Sequence, residues 1–537
     1  KLLLSPRQSR GITYFIYMAR WLWRRFFVYR RHPRFTLDAL HAEPEQPVAL
    51  MFPAWQEAEV IGAALENLIG TLDYANFQVF IGTYPNDPAT AAEVKKLQAR
   101  FANIHHVVTP LPGPTCKADC LNAIIRGIAE RERQSGVRFE IVVMHDAEDI
   151  VHPLSLKLFN LLIPRFDLVQ IPVIALERPW HDLTGGHYMH EFAEVHSKDL
   201  IVREFLSGVV PGAGVGTGYS RRALELDREG DGGADIFNVG TLTEDYDFSF
   251  RLRDAGLKQI FARLPARRTV RSHSWLTGRE TTREVSDVIC TREYFPNRFA
   301  MAVRQKARWV IGISFQSWRR LGWSGRWADR YLFCRDRKMI LLGHATPVGL
   351  LISLLYGAML SLSEWDPVRF PASALLADGD PFWWVVGANV GLLVFRLLQR
   401  HFWSWRYYGL GVLPSVIPCY LWGVVVNYAA TLRAWRIFLV HLVTGKPIGW
   451  DKTAHEFPDS GTLHLYRRRI GDLLVERKLL SPNQLTEALR RQRTERRPIG
   501  ELLVESGAVA EERLLEVLGR QLRIAGSAGG GASNAAF

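Results

Sequence analysis

From residue 47 to 145 the apolar positions fall in short runs that alternate with amphipathic stretches. Val48 to Phe52, Gln78 to Tyr84, His105 to Thr109 and Glu140 to His145 read as strands, and segments near 57–70, 90–101 and 118–133 carry helical spacing. Such alternation predicts βαβ units and a mostly parallel sheet, hence an α/β fold. Ligands bind such sheets beyond the carboxyl ends of the strands. The pattern changes at 339–362, an apolar stretch long enough to span a bilayer although interrupted by His344 and Pro347. Phe382 to Leu398 is a second, shorter one, whose Arg396 and Arg400 can snorkel to an interface. Tyr408 to Ala430 is a third, broken by Pro414, Pro418 and several glycines. After 455 the chain turns soluble again and repeats itself. Arg469-Ile470-Gly471, Leu474, Leu485, Leu489 and Gln492 recur 29 positions later as Pro498-Ile499-Gly500, Leu503, Leu514, Leu518 and Gln521. That match predicts a duplicated helical unit, and the Gly/Ala/Ser-rich tail at 526–537 predicts disorder.

Composition narrows the setting. A chain of 537 residues is long enough for two or three domains, and its 17 Trp and 28 Phe go with a formal net charge of +13. Arginines flank the aromatic segments, as in Trp23-Arg24-Arg25-Phe26-Phe27 and Trp318-Arg319-Arg320, which points to an anionic membrane surface. No nucleic-acid motif argues for a nucleic-acid partner. Residues 12–31, within a juxtamembrane segment at 1–35, suit a helix in the headgroup region or the cytoplasmic end of a span. Because the chain begins at Lys1, further residues are expected upstream. The five cysteines form neither a CxxC nor a Cys/His metal spacing, as expected in a reducing compartment.

The candidate chemistry centres on His145-Asp146-Ala147-Glu148-Asp149, at the end of a buried strand. Three carboxylates so close repel one another unless a cation sits among them, and hard oxygen ligands suit Mg2+ or Mn2+, which in turn suit a diphosphate. A solvated acidic turn is the plainer alternative, and the neighbouring motifs decide against it. In order, the chain carries Pro53-Ala54-Trp55-Gln56-Glu57, a strand ending before Asp87, Lys117-Ala118 with Leu121-Asn122, the acidic strand end, Thr243-Glu244-Asp245 and Gln305-Lys306-Ala307-Arg308-Trp309. This series resembles the PAxxE, Asp, KAxxLN, D-x-D/E, TED and QxxRW elements of processive family-two glycosyltransferases with a GT-A fold.

That resemblance implies a GT-A domain over 36–330. Its donor site would hold a UDP-sugar with Pro53, Glu57, Asp87, Lys117, Asp146 and Glu148. The ion would sit on Asp146 and Glu148 with Asp149 sharing, and Asp245 would be the general base, supported by Glu244. One base without a second carboxylate nucleophile implies inversion at the anomeric carbon. Gln305, Arg308 and Trp309 would bind the growing glycan acceptor, Gln305 and Arg308 sharing a helix face. Gly212 to Gly218 lacks the βαβ context of a dinucleotide loop and resembles the glycine-rich turn near the acceptor site, followed by Arg221 and Arg222.

Each C-terminal repeat is similar to the nucleotide-binding motif of the MshE N-terminal domain, and the five-residue spacer, Arg493 to Arg497, matches as well. Over 455–525 this implies a small all-α domain binding cyclic di-GMP. The implied contacts are Arg467, Arg469, Ile470, Gly471, Leu474, Leu485, Leu489, Gln492, Pro498, Ile499, Gly500, Leu503, Leu514, Leu518 and Gln521. Copy two departs from the pattern at Pro498 and copy one at Lys478. With both soluble regions expected in the cytoplasm, crossings of the membrane region 331–454 must be even in number, so the third apolar stretch is expected to be re-entrant or interfacial.

The whole arrangement, with Gly445-Lys446-Pro447 and Trp450-Asp451-Lys452-Thr453-Ala454-His455 before the last domain, resembles a family of bacterial phage-adsorption proteins. It implies an inner-membrane, cyclic-di-GMP-activated enzyme making an exported polysaccharide from a UDP-N-acetylhexosamine, UDP-N-acetylmannosamine being one such donor, with an outer-membrane export partner. Two rivals are a single-transfer enzyme with a lipid acceptor and a catalytically idle nucleotide receptor.

Overall fold

The computed structural model describes residues 6–32, 35–226, 235–273, 280–370, 380–446, 448–449, 456–458, 460–463, 471, 474–475, 479–495, 497 and 499–515. Helix α1 (Pro6–Trp23) precedes an α/β unit of β1 (Val48–Pro53), α2 (Ile61–Thr71), β2 (Phe77–Thr83), α3 (Pro88–Arg100), β3 (Ile104–Val108), α4 (Lys117–Ser135) and β4 (Ile141–Met144). The chain continues through β5 (Ile150–Val151), α5 (Ser155–Leu162), β6 (Leu168–Gln170), β7 (Val173–Ala175), α6 (Leu183–Glu194) and α7 (Leu200–Ser207). It then forms β8 (Thr217–Ser220), α8 (Arg221–Glu225), α9 (Glu244–Asp254), β9 (Gln259–Phe261), the β10 (Pro265–His273) and β11 (Glu280–Val288) ribbon, and β12 (Thr291–Glu293).

The seven-stranded sheet has the order β3-β2-β1-β4-β8-β6-β9. β1 pairs in parallel with β2 and β4, and β8 is antiparallel to both its neighbours. Every residue of β1 is buried. Val48, Leu50 and Phe52 enter one apolar cluster and Ala49 and Met51 another, the period-two signature of a central strand covered on both faces. The reversal at β8 has a consequence for the site. Met144 is paired with Thr217, so the residues just after β4 and the glycine turn just before β8 emerge at the same edge of the sheet. A small sheet of order β5-β12-β7 flanks this edge.

Beyond the sheet lie α10 (Phe299–Trp309), α11 (Ser317–Leu321), α12 (Trp327–Arg337), α13 (Met339–Trp365), α14 (Phe382–Tyr408) and α15 (Val416–Thr444). Among the described residues, three stretches, 339–365, 382–408 and 410–444, are helical and apolar enough to cross a membrane. The third is not broken as its prolines suggested. Pro414 lies in a preceding 3-10 turn and Pro418 falls in the first turn of α15, where its missing N–H is one the helix could not have satisfied internally. The result is one 29-residue helix.

The three helices differ in their surroundings. α13 has Ile340 and Gly343 buried near its start and is exposed beyond, whereas α14 is exposed at Phe382–Val394 and buried at Arg400, Trp403, Ser404, Tyr407 and Tyr408. The two therefore leave the α/β unit and return to it. α15 lies along α6 and α10 instead. A Cβ on Gly423 would stand 2.1 Å from the His187 ring, one on Gly186 2.7 Å from Cys419 Sγ, and one on Gly343 2.5 Å from Thr431 Oγ1. α1 docks on α14 through Tyr14, edge-on to Phe395 with ring centroids 4.5 Å apart, and Tyr17, which meets Trp403.

Past α15 the chain comes back to the α/β unit. Glu456 pairs with Arg178 at 2.8 Å and accepts from Asn297 at 3.2 Å, while Phe457 and Leu463 join its apolar clusters. The predicted repeat is visible in the backbone. Leu479 and Leu480 donate to Leu474 O, and Leu485 donates to Ser481 O; 29 residues on, Ala508 and Val509 donate to Leu503 O, and Leu514 to Ala510 O. Gly471 faces Leu485 and Gly500 faces Leu514 at matching places. Leu474, Leu480, Ala488, Leu503, Val509 and Leu514 make one small core between the copies.

Candidate active site

A cavity of about 320 Å³ opens at the sheet edge defined by β4 and β8. Its walls include Pro53 at the end of β1 and Glu57 after it, Cys116 and Lys117 at the start of α4, Asp146 and Glu148 after β4, Pro211 to Val215 before β8, Thr241 to Tyr246 entering α9, and Gln305, Arg308 and Trp309 on α10. The glycine turn permits the closeness. Gly214 has φ +73°, and a Cβ there would lie 3.2 Å from both Lys117 Nζ and Asp245 Oδ2. α10 runs into a π-helix at Val310–Gln316, where a Cβ on Gly312 would meet Thr243 Oγ1 at 2.4 Å. The helix carrying Gln305 is thereby held against the loop carrying Glu244 and Asp245.

Lys117 is the cation at the centre of this acidic set. Its ammonium lies 2.6 Å from Asp146 Oδ1 and donates to Gly214 O at 3.0 Å. Burial alone would depress its pKa, but Asp146 and Glu244 win and hold it above the usual lysine value. Burial pushes Glu244 up to about 7, with Asp245 adding repulsion. Burial likewise raises Asp245 to about 6, opposed by Lys117 and by the Tyr246 N–H, which donates to Asp245 Oδ1 at 2.8 Å. A carboxylate so tuned can exchange a proton near neutral pH.

Among the described residues no three His, Cys, Asp or Glu side chains gather closely enough to cage a metal ion unaided. Asp146 and Glu148 nevertheless both face the cavity. Two hard carboxylates completed by substrate phosphate and water form the usual Mg2+ or Mn2+ donor set of a nucleotide site, so the residues present fit such an ion. Asp149 does not face it. Its carboxylate is buried, bonded to His145 Nδ1 at 2.8 Å and to the Asp146 N–H at 3.1 Å, which shapes the turn. The expected third metal contact is corrected accordingly.

Other expected residues are also placed differently. Asp87 caps α3 through the Thr90 N–H at 3.3 Å and accepts from the Gln56 N–H at 2.6 Å, so it braces the loop before Glu57 and does not line the cavity. Arg221 turns to Glu132 and Glu225, and Arg222 to Asp167, all away from the cavity. Leu474, Leu485, Leu503 and Leu514 pack in the small C-terminal core rather than lining a described cavity. Ile499 joins them, and Leu489 and Gln492 lie on the helix Pro482–Glu495. Arg467, Arg469, Ile470, Pro498, Leu518 and Gln521 lie outside the described residues.

On the α10 side, Gln305 Oε1 is buried and makes no hydrogen bond among the described residues. Trp309 stands edge-on to Tyr188, with centroids 6.2 Å apart. Several lining residues carried no motif: Phe192 and His196, Arg203 on α7, Glu293 on β12, and Asp336 on α12. Arg203 Nη1 and Tyr246 OH both bond Asp336 Oδ2 at 2.9 Å, a contact spanning 133 positions that no local pattern announces. A second cavity of about 660 Å³ shares Phe192, Val195, Arg203, Trp309, Ile313 and Asp336 with the first and extends between α13, α14 and α15.

The chain thus sets a strand-end acidic cavity on a GT-A-like α/β sheet, beside helices long and apolar enough to cross a membrane. Residues 141–363 match glycosyl transferase family group 2. Over 480 residues it is 41% identical to the Bacteriophage adsorption protein B of Escherichia coli (strain K12) and, to the same degree, to the Bacteriophage N4 adsorption protein B of Escherichia coli O157:H7. The aligned region covers 88% of this chain and 63% of each relative, so the chain spans less than two thirds of their length. Among solved structures it is similar to the mannosyltransferase PcManGT from Pyrobaculum calidifontis in complex with GDP-Man and Mn2+, at 14% identity and a TM-score of 0.42, over 77% of this chain and 96% of that one.

Proposed function

We propose that the chain is an inverting, processive glycosyltransferase that polymerises a UDP-N-acetylhexosamine, such as UDP-N-acetylmannosamine, into an exported polysaccharide. The observation that carries this reading is the convergence of Lys117, Asp146, Glu148, Glu244, Asp245, Gln305, Arg308 and Trp309 on one cavity from separate elements. Asp146 and Glu148 would hold a Mg2+ or Mn2+ ion, which when bound would neutralise diphosphate charge. Pro53 and Glu57 would frame the nucleoside, with Asp87 bracing their loop. Asp245 takes the proton of the acceptor hydroxyl as that oxygen attacks the anomeric carbon and the nucleoside diphosphate departs from the opposite face. Lys117 offsets charge gathering on the leaving group. Glu244, beside Asp245, supports it, and burial keeps the base's pKa high.

The adjoining cavity between α13, α14 and α15 supports a polymer over a single transfer, since a lengthening glycan leaving Trp309 has somewhere to go. The contacts of Glu456, Phe457 and Leu463 with the α/β unit support a topology in which α13 and α14 cross the inner membrane as a pair and α15 lies at the interface. The transferase and the C-terminal repeat are then both cytoplasmic. Regulation by cyclic di-GMP bound to residues 455–525 rests on the duplicated pattern, and a ligand acts there only by preferring one arrangement of the enzyme. An outer-membrane partner would receive the product.

The test is purified full chain given radiolabelled UDP-sugars and Mn2+, with and without cyclic di-GMP. Long labelled polymer that increases with the dinucleotide is the expected result. Single-sugar lipid products would replace the polymerase reading, and no turnover in either condition would reject the enzyme reading.

A further inference from the structure

Helix α9 opens with Glu244 and Asp245, and one of its faces is fastened to α12. Tyr246, Phe250 and Arg253 share a face at helical spacing, and they meet Asp336, Phe333 and Asp329 in reverse order, as two antiparallel helices do. The Tyr246 O–H donates to Asp336 Oδ2 at 2.9 Å, the Phe250 and Phe333 rings stand 5.0 Å apart between centroids, and Arg253 Nη1 lies 2.8 Å from Asp329 Oδ1. The two ends of this stripe differ in what they hold. Tyr246 is tied to the base, because its own N–H donates to Asp245 Oδ1 at 2.8 Å. Arg253 lies more than two helical turns further along, about 12 Å from Asp245 at the rise of an α-helix.

Asp336 is itself held. Arg203 grips both its oxygens, Nη1 on Oδ2 at 2.9 Å and Nη2 on Oδ1, and the Ser314 hydroxyl donates to the Asp336 backbone carbonyl at 3.1 Å. Burial would raise the Asp336 carboxyl, yet Arg203 holds it below the usual aspartate range, so it stays an anion that accepts from Tyr246. Burial pushes the Tyr246 phenol up, so that ring keeps the proton it donates. We propose that Asp336 is a positioning residue for the base: clamped by Arg203, it fixes the Tyr246 ring and through it the first turn of α9, from which the Asp245 carboxylate projects. That role rests on Asp245 being the base of the transferase proposed above. Asp336 stands just before Met339, where α13 begins, and lines both the catalytic cavity and the one between α13, α14 and α15. The base is thereby set relative to the root of α13.

The experiment compares full chains supplied with radiolabelled UDP-N-acetylmannosamine and Mn2+, with donor binding, melting temperature and amide hydrogen exchange over 244–248 measured on the same preparations. Tyr246→Phe removes the hydroxyl and keeps the ring against Phe250. It is expected to lower kcat about 10- to 100-fold with donor affinity unchanged, and to quicken exchange in that first turn. Arg253→Gln cuts the contact at the far end and takes a cation from the buried Asp329, so it is expected to lower the melting temperature while leaving kcat and the exchange at 244–248 at their wild-type values. Unchanged kcat and exchange in Tyr246→Phe would overturn the positioning role. Equal losses of kcat in the two variants would overturn it as well, since any loosening between α9 and α12 would then suffice. A wild type without turnover, beside quickened exchange in Tyr246→Phe, would reject the transferase reading and leave the tie between Asp336 and the first turn of α9 standing.

Discussion

The ammonium of Lys117 sits 2.6 Å from Asp146 Oδ1, on the carboxylate proposed to receive the divalent cation. A lysine and a metal ion would compete for that oxygen, and Lys117 also steadies the neighbouring acids. Lys117→Met is therefore expected to act in two directions. The Mn2+ concentration giving half-maximal activity falls, because a competitor is gone, while kcat falls about 100-fold, because a positive charge beside the leaving group is lost. Mn2+ titrations of both proteins check this, and an unchanged half-maximal concentration would show that Lys117 does not compete.

Asp245 works as a base only when ionised, and burial raises its pKa to about 6. Activity is then present above that value and lost as pH falls through it, giving an acid limb well above the ordinary aspartate range. Glu244, raised to about 7, is still neutral where Asp245 ionises, so the limb belongs to Asp245. Glu244→Gln, which keeps that neighbour neutral, should leave the limb near 6. Asp245→Asn should lower kcat by about 100- to 10,000-fold with donor affinity retained. Profiles of kcat against pH, with donor binding measured by calorimetry, test both. A limb that moves to lower pH in Glu244→Gln would mean that Glu244 ionises first.

What the sequence revealed about this architecture depended on how local each signal was. The strands around Val48, Gln78, His105 and Ile141 were legible because parallel buried strands write continuous apolar runs, and β1 is buried throughout. Asp146, Glu148, Glu244 and Asp245 were legible as short acidic motifs at element ends, and all four line the cavity. Asp149 was misplaced because adjacency in sequence says nothing of direction, and its carboxylate folds back to His145. Pro418 misled because a proline breaks a helix interior but not its first turn. Arg203, Asp336 and the docking of α15 on α6 were invisible, being long-range contacts between segments with ordinary composition.

Glu194 on α6 joins two cations in the interior. Its carboxylate is 2.9 Å from Lys198 Nζ and 3.1 Å from Arg400 Nε, and all three side chains are almost fully buried. Removing the acid leaves two buried positive charges facing each other. Glu194→Ala is expected to cost roughly 3–5 kcal/mol, seen as a lower melting temperature of the detergent-purified protein. Arg400→Met with Lys198→Met, which removes the charges along with their need for Glu194, should make the same Glu194→Ala change much milder. A double-mutant comparison with additive losses would mean that the three side chains do not act as a unit.

Among the described residues, three helices have the length and apolarity to cross a membrane, yet an odd number of crossings would separate Glu456 from Arg178, which the structure pairs at 2.8 Å. Phe457 and Leu463 pack on the same α/β unit as that pair, so the conflict involves more than one exposed contact. On the proposed topology, the helix to remove from the count is α15. Gly423 and Gly186 let it lie against His187 and α6, contacts unavailable to a helix surrounded by lipid on all sides. Gly423→Val should therefore dislodge α15 from α6 and abolish activity without altering membrane insertion of α13 and α14. A green fluorescent protein fused after Pro458 should fluoresce in cells, and alkaline phosphatase inserted between α13 and α14, in 371–379, should be active in the periplasm. A dark fusion at Pro458 beside an active phosphatase at that position would mean that α15 crosses the bilayer, and the contacts of Glu456 with Arg178 could not exist in the cell.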